Sequence, residues 1–349
     1  MKLGDRFRQT YFIADIAANH DGSLERAKEL IFLAAEAGAD AAKFQNFKAE
    51  TIVSKQGFEE LAGNNSHQRK WTKSVVEVYR EAEVPVSWTE DLIRACNKAG
   101  IDYFTAPYDL DYVDYFAERM PFFKVGSGDI TWKESLIRIA SKGLPVMLAT
   151  GASTIEEVVE AVTLLEEQNV EIVLMQCNTN YTGSEGNFDF LNLKVIESYK
   201  LQFPNLHLGL SDHSQGYIAV LGAVALGARF IEKHFTDDST RKGPDHEFSL
   251  TPKVWKEMVE STRILERALG DGVKRVEQNE TDARIVQRRG LRYTRDMNSD
   301  ELITSKDLIA LRPCPEDGLT PFELDKVLGM KLKRKVSKDE QVRFTDFEK

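Results

Sequence analysis

The 349-residue sequence is poor in cysteine. Cys96, Cys177 and Cys314 are scattered, odd in number and free of CxxC spacing, which argues against a disulfide framework and a thiolate zinc cage and suits a reducing cytoplasm. Long apolar runs are missing as well: no stretch approaches the about 18 residues that a membrane span requires. MKLGDRFRQTYFIADIAANH at the start lacks the unbroken apolar core of a leader, so the expected location is the cytoplasm. Positive charge is in deficit, with 46 Lys and Arg against 56 Asp and Glu and a net charge of −10. That argues against a general nucleic-acid binder, which shows a basic face. A local cluster of cations can still hold a small anion. Proline and glycine, at 10 and 22 residues, are not in excess, which excludes fibrous and low-complexity classes. No GxGxxG follows the first apolar run, so the dinucleotide signature is absent.

What is present is a globular pattern, 42% apolar and 29% charged. Eight short apolar runs bounded by turn residues lie at 11–18, 39–47, 102–108, 122–128, 145–151, 172–178, 207–213 and 229–235. Helical patterns separate them. Leu24, Ala27, Leu30, Ile31 and Ala34 share a face that stops at Gly38, and Thr154 with Glu157 forms a capping box ahead of Ile155, Val158, Val159 and Val162. Alternating strands and helices make parallel βαβ units, and near-continuous apolar strands are buried on both faces. Eight repeats in about 250 residues predict an α/β fold, a (β/α)8 TIM barrel over 1–270, with a doubly wound open sheet as the competing architecture. Residues 48–84, with HQRKW at 67–71 and Trp88 just beyond, interrupt the repetition as either a lid over the barrel mouth or an added helix. The polar GDGVKRVEQNETDAR reads as a linker over 271–285, and 286–349 as a small separate domain.

In a parallel barrel all strand C-termini point to one face, where the chemistry sits. Asp15, Asn19 and His20 follow the first run; Lys43 and Gln45 lie on the second; Lys124, Ser127 and Asp129 on and after the fourth. Asn178 and Tyr181 follow the sixth, Ser211, Asp212 and His213 close the seventh, and Glu232, Lys233 and His234 sit on the eighth. His213 and His234 are 21 residues apart at matching places. Ends of adjacent strands lie about 5 Å apart, so the two imidazoles can meet over the mouth as a partial shell for a divalent metal, an open Lewis-acid site. The alternative is two unrelated structural histidines. Lys43 and Lys124 interrupt apolar strands, where an unpaired ammonium is costly. Either a neighbouring carboxylate or an anionic ligand satisfies them; with Ser127 and the GSG turn they suit a small phosphate or carboxylate. Asp245 in KGPDHEF adds a carboxylate for sugar hydroxyls or proton transfer.

These residues carry a resemblance. IADIAANHDGS, AAKFQ, FFKVGSGD, GLSDH, ALGARFIEKHFT, GPDHEFSL and ALGDG are similar, in order and nearly end to end, to landmarks of the sialic acid synthase family. LIALRPCPEDGLTP and LGMKLKRKV resemble that family's antifreeze-like (SAF) domain. Members condense phosphoenolpyruvate with the aldehyde of an N-acylated hexosamine, forming a nine-carbon 2-keto acid and phosphate. The resemblance implies that His213 and His234 hold a manganese or magnesium ion, which polarises the aldehyde. Lys43, Lys124, Ser127 and Ser211 would contact phosphoenolpyruvate, and Gln45, Tyr181 and Asp245 the acceptor; Asp15, Lys43, Lys124 and Asp245 are the expected catalytic residues, and Asn178, by its place after the sixth run, is expected to bind substrate. Asp129 stands where the family often has Glu. Asp15 replaces a usual Glu, Thr105-Ala106-Pro107 an STP, Ala149-Thr150-Gly151 an STG, and Tyr181-Thr182 a YP, so that Ala106 and Ala149 each lack an expected hydroxyl.

By its surroundings Arg312 is a surface residue pairing with Glu316 or Asp317. The resemblance implies instead that it reaches the partner's barrel in a homodimer with exchanged tails, across an extended linker. Two rivals remain: a Schiff-base aldolase using Lys124, and a non-enzymatic carbohydrate-binding or ice-binding protein suggested by the tail. The acceptors that the resemblance implies are N-acetylmannosamine, its 6-phosphate and the diacetamido-trideoxyhexoses, and the sequence does not choose among them.

Overall fold

A computed structural model describes residues 9–61, 71 and 73–348. The chain divides into two compact units, 1–270 and 271–349. In the first unit the eight apolar runs become eight parallel strands: β1 (Tyr11–Asp15), β2 (Ala41–Asn46), β3 (Asp102–Pro107), β4 (Phe123–Val125), β5 (Val146–Ala149), β6 (Ile172–Cys177), β7 (His207–Asp212) and β8 (Phe230–His234). Each is shorter than its apolar run because the last residues of the run turn out of the ladder to form the mouth.

The hydrogen-bonded order is β3-β2-β1-β8-β7-β6-β5-β4. β1 pairs with β8 within this order, and its two edge strands, β3 and β4, pack against each other, so the sheet curls into a nearly closed barrel and the open-sheet alternative is removed. β3 and β4 flank the remaining seam. At its mouth end the Tyr108 hydroxyl occupies the space that a side chain on Gly126 would need.

Burial explains the strand sequences. Every residue of YFIAD, VMLA and IVLMQC is buried, as expected for strands covered inside by neighbouring strands and outside by helices. The outer helices are set by local signals. Ser23 accepts from the Arg26 amide to start Leu24–Glu36, whose buried face is Ala27, Leu30, Ile31 and Ala34. Gly38, at φ +95°, lets the chain leave that helix in the left-handed region. The Thr154–Glu157 capping box starts Ile155–Glu166. After β8, Pro252–Leu269 packs Trp255 against Phe235 with ring centroids 5.5 Å apart.

The described part of 48–84 carries the short helices Ala49–Ile52, Lys55–Glu60 and Val75–Ala82, the last opened by a Ser74–Glu77 capping box. Of HQRKW only Trp71 lies within the described residues. Trp88 packs its ring against His20.

The second unit has its own core, built on Leu291, Tyr293, Met297, Val327, Leu332, Val336 and Val342. Its two paired strands, β9 (Gly290–Tyr293) and β10 (Leu308–Leu311), are antiparallel. The stretch read as an extended linker is not extended throughout, since Gln278–Glu280 is a turn and Thr281–Gln287 a helix. Helical residues advance about 1.5 Å each, so its reach is shorter than the sequence suggested. No helix among the described residues is long and apolar enough to cross a membrane.

Candidate active site

Strand register assembles the site. Asp15 lies beside both Lys43 and His234, Cys177 beside Ser211, and Ser211 beside Glu232. These positions sit at the C-terminal ends of β1, β2, β6, β7 and β8 and line one cavity of about 260 Å³. Gln45, Lys124, Ser127, Asp129, Tyr181, His213 and Asp245 line it too.

The lysines lie at its floor and are almost wholly buried, Lys43 at 1% and Lys124 at 3% exposure. The fold supplies each with a carboxylate, so the anionic ligand is not their only counter-charge. Lys43 Nζ is 2.7 Å from Asp15 Oδ2 and 3.5 Å from Glu232 Oε1. Lys124 Nζ donates to the same Glu232 oxygen at 2.9 Å, and Ser211 Oγ donates to it at 3.0 Å. Burial opposes the charge on Glu232, but Lys124 and Lys43 outweigh it and hold the carboxyl below its usual range. Burial likewise opposes the charge on Lys43, and Asp15 and Glu232 reverse that and push its ammonium above the usual value. Asp15 moves the other way, raised by burial faster than Lys43 can lower it. Gln45 Nε2 donates to Asp15 Oδ2 at 3.1 Å. Glu232 Oε2 is buried with no hydrogen-bond partner among the described residues.

Above this floor the imidazoles of His213 and His234 stand with ring centroids 5.2 Å apart. Burial, reinforced by His234 at His213 and by Lys43 at His234, pushes both down to about 3, so both rings are neutral at neutral pH. His213 Nδ1 donates to the Asn178 carbonyl at 2.9 Å, which leaves Nε2 as its basic nitrogen. His234 Nδ1 is buried without a hydrogen-bond partner among the described residues, 3.9 Å from Asp245 Oδ2. Two neutral rings, one with a buried orphan nitrogen, fit a divalent ion as a two-nitrogen partial shell. Among the described residues no group of three His, Cys, Asp or Glu side chains converges as a cage, so water or substrate oxygens would complete the shell. Tyr181 packs edge-on to His213 at 4.3 Å.

Two further carboxyls are tuned toward neutrality. Burial pushes Asp245 and Asp129 up to about 6. The Ala18 amide donates to Asp245 Oδ2 at 3.0 Å, which moderates the shift. Carboxyls that titrate near neutral pH can exchange protons with a substrate.

Some expected residues have other duties. Asn178 is not part of the cavity lining: its amide donates to the Phe190 carbonyl, and its own carbonyl orients His213. Asn19 donates to Phe235 and Ser249, and His20 sits between the Ala82 carbonyl and the Gly22 amide. Ser127 Oγ accepts from the Gly151 amide at 2.9 Å, an approach that a side chain at Gly151 would block. The threonines beside the two alanines do not replace the missing hydroxyls. Thr105 donates to Asn46, and Thr150 to the Met175 carbonyl. Arg312, in the second unit, is exposed and has no hydrogen bond or ion pair among the described residues; Asp317, its expected partner, pairs with Arg343.

The sequence reading named Glu232 without a role and passed over Tyr108 and Cys177, all of which line the cavity. Glu232 had a signal, since it precedes His234 by two on one strand and therefore shares its face.

Comparison with known proteins places this geometry in a family. The model of the NeuB family matches residues 30–274, and that of the SAF domain residues 288–348. The chain belongs to the NeuB family. It is 34% identical to the N,N'-diacetyllegionaminic acid synthase of Campylobacter jejuni over 96% of this chain and 99% of that one. It is 30% identical to the N-acetylneuraminate-9-phosphate synthase of Homo sapiens, over 95% and 91%. The crystal structure of an N-acetylneuraminic acid (sialic acid) synthetase from Leptospira borgpetersenii matches with a TM-score of 0.69 and 30% identity, over 79% of this chain and 90% of that one. The resemblance read from the landmarks and the barrel read from the strand count are both borne out.

Proposed function

We propose that this NeuB-family chain is a nonulosonate synthase. It joins C3 of phosphoenolpyruvate to the aldehyde carbon of an N-acylated hexosamine, giving a nine-carbon 2-keto acid and phosphate. The observation that carries this reading is one cavity holding two buried lysines beside two neutral imidazoles. Lys43 and Lys124 hold the phosphate and carboxylate of phosphoenolpyruvate, and Ser127 and Ser211 add hydroxyls. His213 and His234 would hold a divalent ion, manganese or magnesium, which when bound would supply Lewis acidity toward the aldehyde oxygen. As the new C–C bond forms, that oxygen takes a proton, and Asp245 beside His234 is placed to give it. Water then adds to the cationic C2; one of its protons restores Asp245 and the other leaves with phosphate as the C2–O bond breaks. Gln45, Tyr181 and Asp129 face the acceptor, and Asp15 holds Lys43 and Gln45 in place.

Phosphate release from phosphoenolpyruvate with a panel of hexosamines, and mass spectrometry of the product, test the reaction; no release with any of them overturns it. Chelation should abolish release and manganese restore it, and full turnover in chelator would remove the metal. The rivals find no support. Lys124 Nζ donates to the buried Glu232 carboxylate, an engagement that a nucleophilic amine would have to give up. Borohydride with pyruvate should therefore leave the mass of the protein unchanged.

A homodimer with exchanged tails follows from the family resemblance, with Arg312 completing the partner's site. Its exposed guanidinium, without a partner among the described residues, supports this, as do the exposed Trp132, Ile155, Phe190 and Ile218 on segments that follow β4 to β7. Mixed Arg312→Ala and His213→Ala subunits should regain about one competent site per heterodimer; no rescue overturns it. The three cysteines are free and buried, which supports a cytoplasmic location.

A further inference from the structure

The reaction proposed above makes no use of Tyr108, although this residue lines the cavity. It follows β3 by one residue, on the strand face that Ala106 occupies two residues earlier. Its amide donates to the Asn46 carbonyl at 2.9 Å, which fixes the backbone. Its ring meets Phe47 with centroids 6.3 Å apart; Phe47 lies 5.5 Å from Tyr79, and Tyr79 6.4 Å from Trp71. The four rings form one wall of the cavity, which leaves the Tyr108 side chain little freedom in where it aims.

It aims at the turn Gly126-Ser127-Gly128, all three residues of which line the cavity. A Cβ on Gly126 would collide with the Tyr108 hydroxyl and lie 3.1 Å from two of its ring carbons, so the absence of a side chain there is what admits the phenol. Nothing lies within 4 Å of the place a Cβ on Gly128 would take, so the turn is open beyond the hydroxyl. That hydroxyl makes no hydrogen bond among the described residues. Burial pushes the phenol well above its usual range, and Tyr181, Asp129, Asp15 and Glu232 add to the shift, so it keeps its hydrogen at neutral pH. A donor turned into a cavity without an acceptor is left for a ligand to satisfy.

The groups beside it say which ligand. Lys124 precedes Gly126 by two residues, and Ser127 Oγ is fixed by the Gly151 amide at 2.9 Å. Ala149, which lines the same cavity, contributes no donor. One cation and two hydroxyls therefore gather about one turn, and the three terminal oxygens of a phosphate group can accept from all of them.

We propose that the Tyr108 hydroxyl donates to the phosphate group of phosphoenolpyruvate over the Gly126-Ser127-Gly128 turn, supplying from β3 the contact that Ala106 and Ala149 lack. This rests on the reaction proposed above and adds a binding residue to it. The phenol acts as a hydrogen donor and transfers no proton.

Tyr108→Phe tests this, because it keeps the ring in the wall and removes only the hydroxyl. Titration calorimetry with phosphoenolpyruvate and no acceptor should show a Kd raised roughly tenfold to a hundredfold, the scale of a hydrogen bond to a charged group. The Ki of inorganic phosphate against phosphoenolpyruvate should rise by a similar factor, while the acceptor KM stays as it was. Melting temperature should not fall, since no protein hydrogen bond is lost. An unchanged Kd in folded Tyr108→Phe overturns the proposal and leaves the reaction standing, as does a raised Kd with an unchanged Ki for phosphate, which would put the hydroxyl at the carboxylate. A lower melting temperature with the same Kd would make the phenol a plug for the seam between β3 and β4, and overturns it too. If the unaltered protein binds no phosphoenolpyruvate, the reaction falls and this assignment with it.

Discussion

Two faces of the same strands hold buried charge in different ways. On one face of β7 and β8, Lys233 Nζ donates to Asp212 Oδ2 and to the Ser214 carbonyl, each at 2.7 Å, and Ser214 donates to Asp212 through both its amide and its hydroxyl. That cluster is closed, and it ties the β7 loop to β8. On the face of the mouth, one residue to either side of Lys233, Glu232 keeps one oxygen and His234 one nitrogen without a hydrogen-bond partner among the described residues, although both residues are buried. Alternation along a strand is enough to separate the two environments. The difference teaches what a buried charge is for. A saturated cluster fixes a conformation, whereas an incompletely satisfied one is stable only because the surrounding barrel holds it, and it keeps capacity for a ligand.

The sharpest break of this contrast is Lys233→Met. It leaves Asp212 buried and uncompensated and should lower stability by about 3–5 kcal/mol, read from denaturant midpoints, with little change in turnover per folded molecule. Lys124→Met should do the reverse. Glu232 keeps Lys43 and Ser211, so the fold survives, while kcat/KM falls by about 10²–10³, the scale for removing one charge-stabilising donor. If both substitutions cost stability alone, the mouth is as structural as the outer face.

Ala149→Ser sharpens the comparison by adding a donor to the open face. A hydrogen bond to a charged group contributes about 1.5–3 kcal/mol, so the Kd for phosphoenolpyruvate should tighten without a change in acceptor preference. Weaker binding by titration calorimetry would mean that the alanine is needed for space.

The smallest effect concerns Asp129, which lines the same mouth. Burial raises its folded pKa to about 6, above the unfolded value near 3.8, so the folded chain binds the extra proton. Its contribution to stability is therefore fully present below about pH 4 and is lost as pH rises through 6. Asp129→Asn should remove that fall, giving a flatter profile between pH 4 and 7 in melting scans. An identical profile would show that the carboxyl is solvated.

The face that carries the cavity was legible because strand periodicity is strong: eight apolar runs followed by polar residues specify a ring with those residues gathered at one end. His213 and His234 closed two consecutive runs, and their meeting followed from strand spacing. Glu232 was visible but had no stated duty, because neither local pattern nor spacing says which lysine it will face. Asn178 was assigned to the substrate from its position after a strand, yet its side chain holds the 178–190 loop, since loop hydrogen bonds depend on where the chain returns.

By itself, the sequence determined the order of strands and helices, the caps that start them, the division into two units and the end of the barrel at which polar residues gather. All of these depend on residues near one another along the chain. Only the tertiary structure decided that Asp15 and Glu232 share two lysines, that the threonines beside Ala106 and Ala149 turn elsewhere, and that Phe47, Tyr79, Trp71 and Tyr108 join into one wall. Those contacts bring together residues from separate strands and loops, and their energies depend on burial and distance, which exist only once the ring has closed.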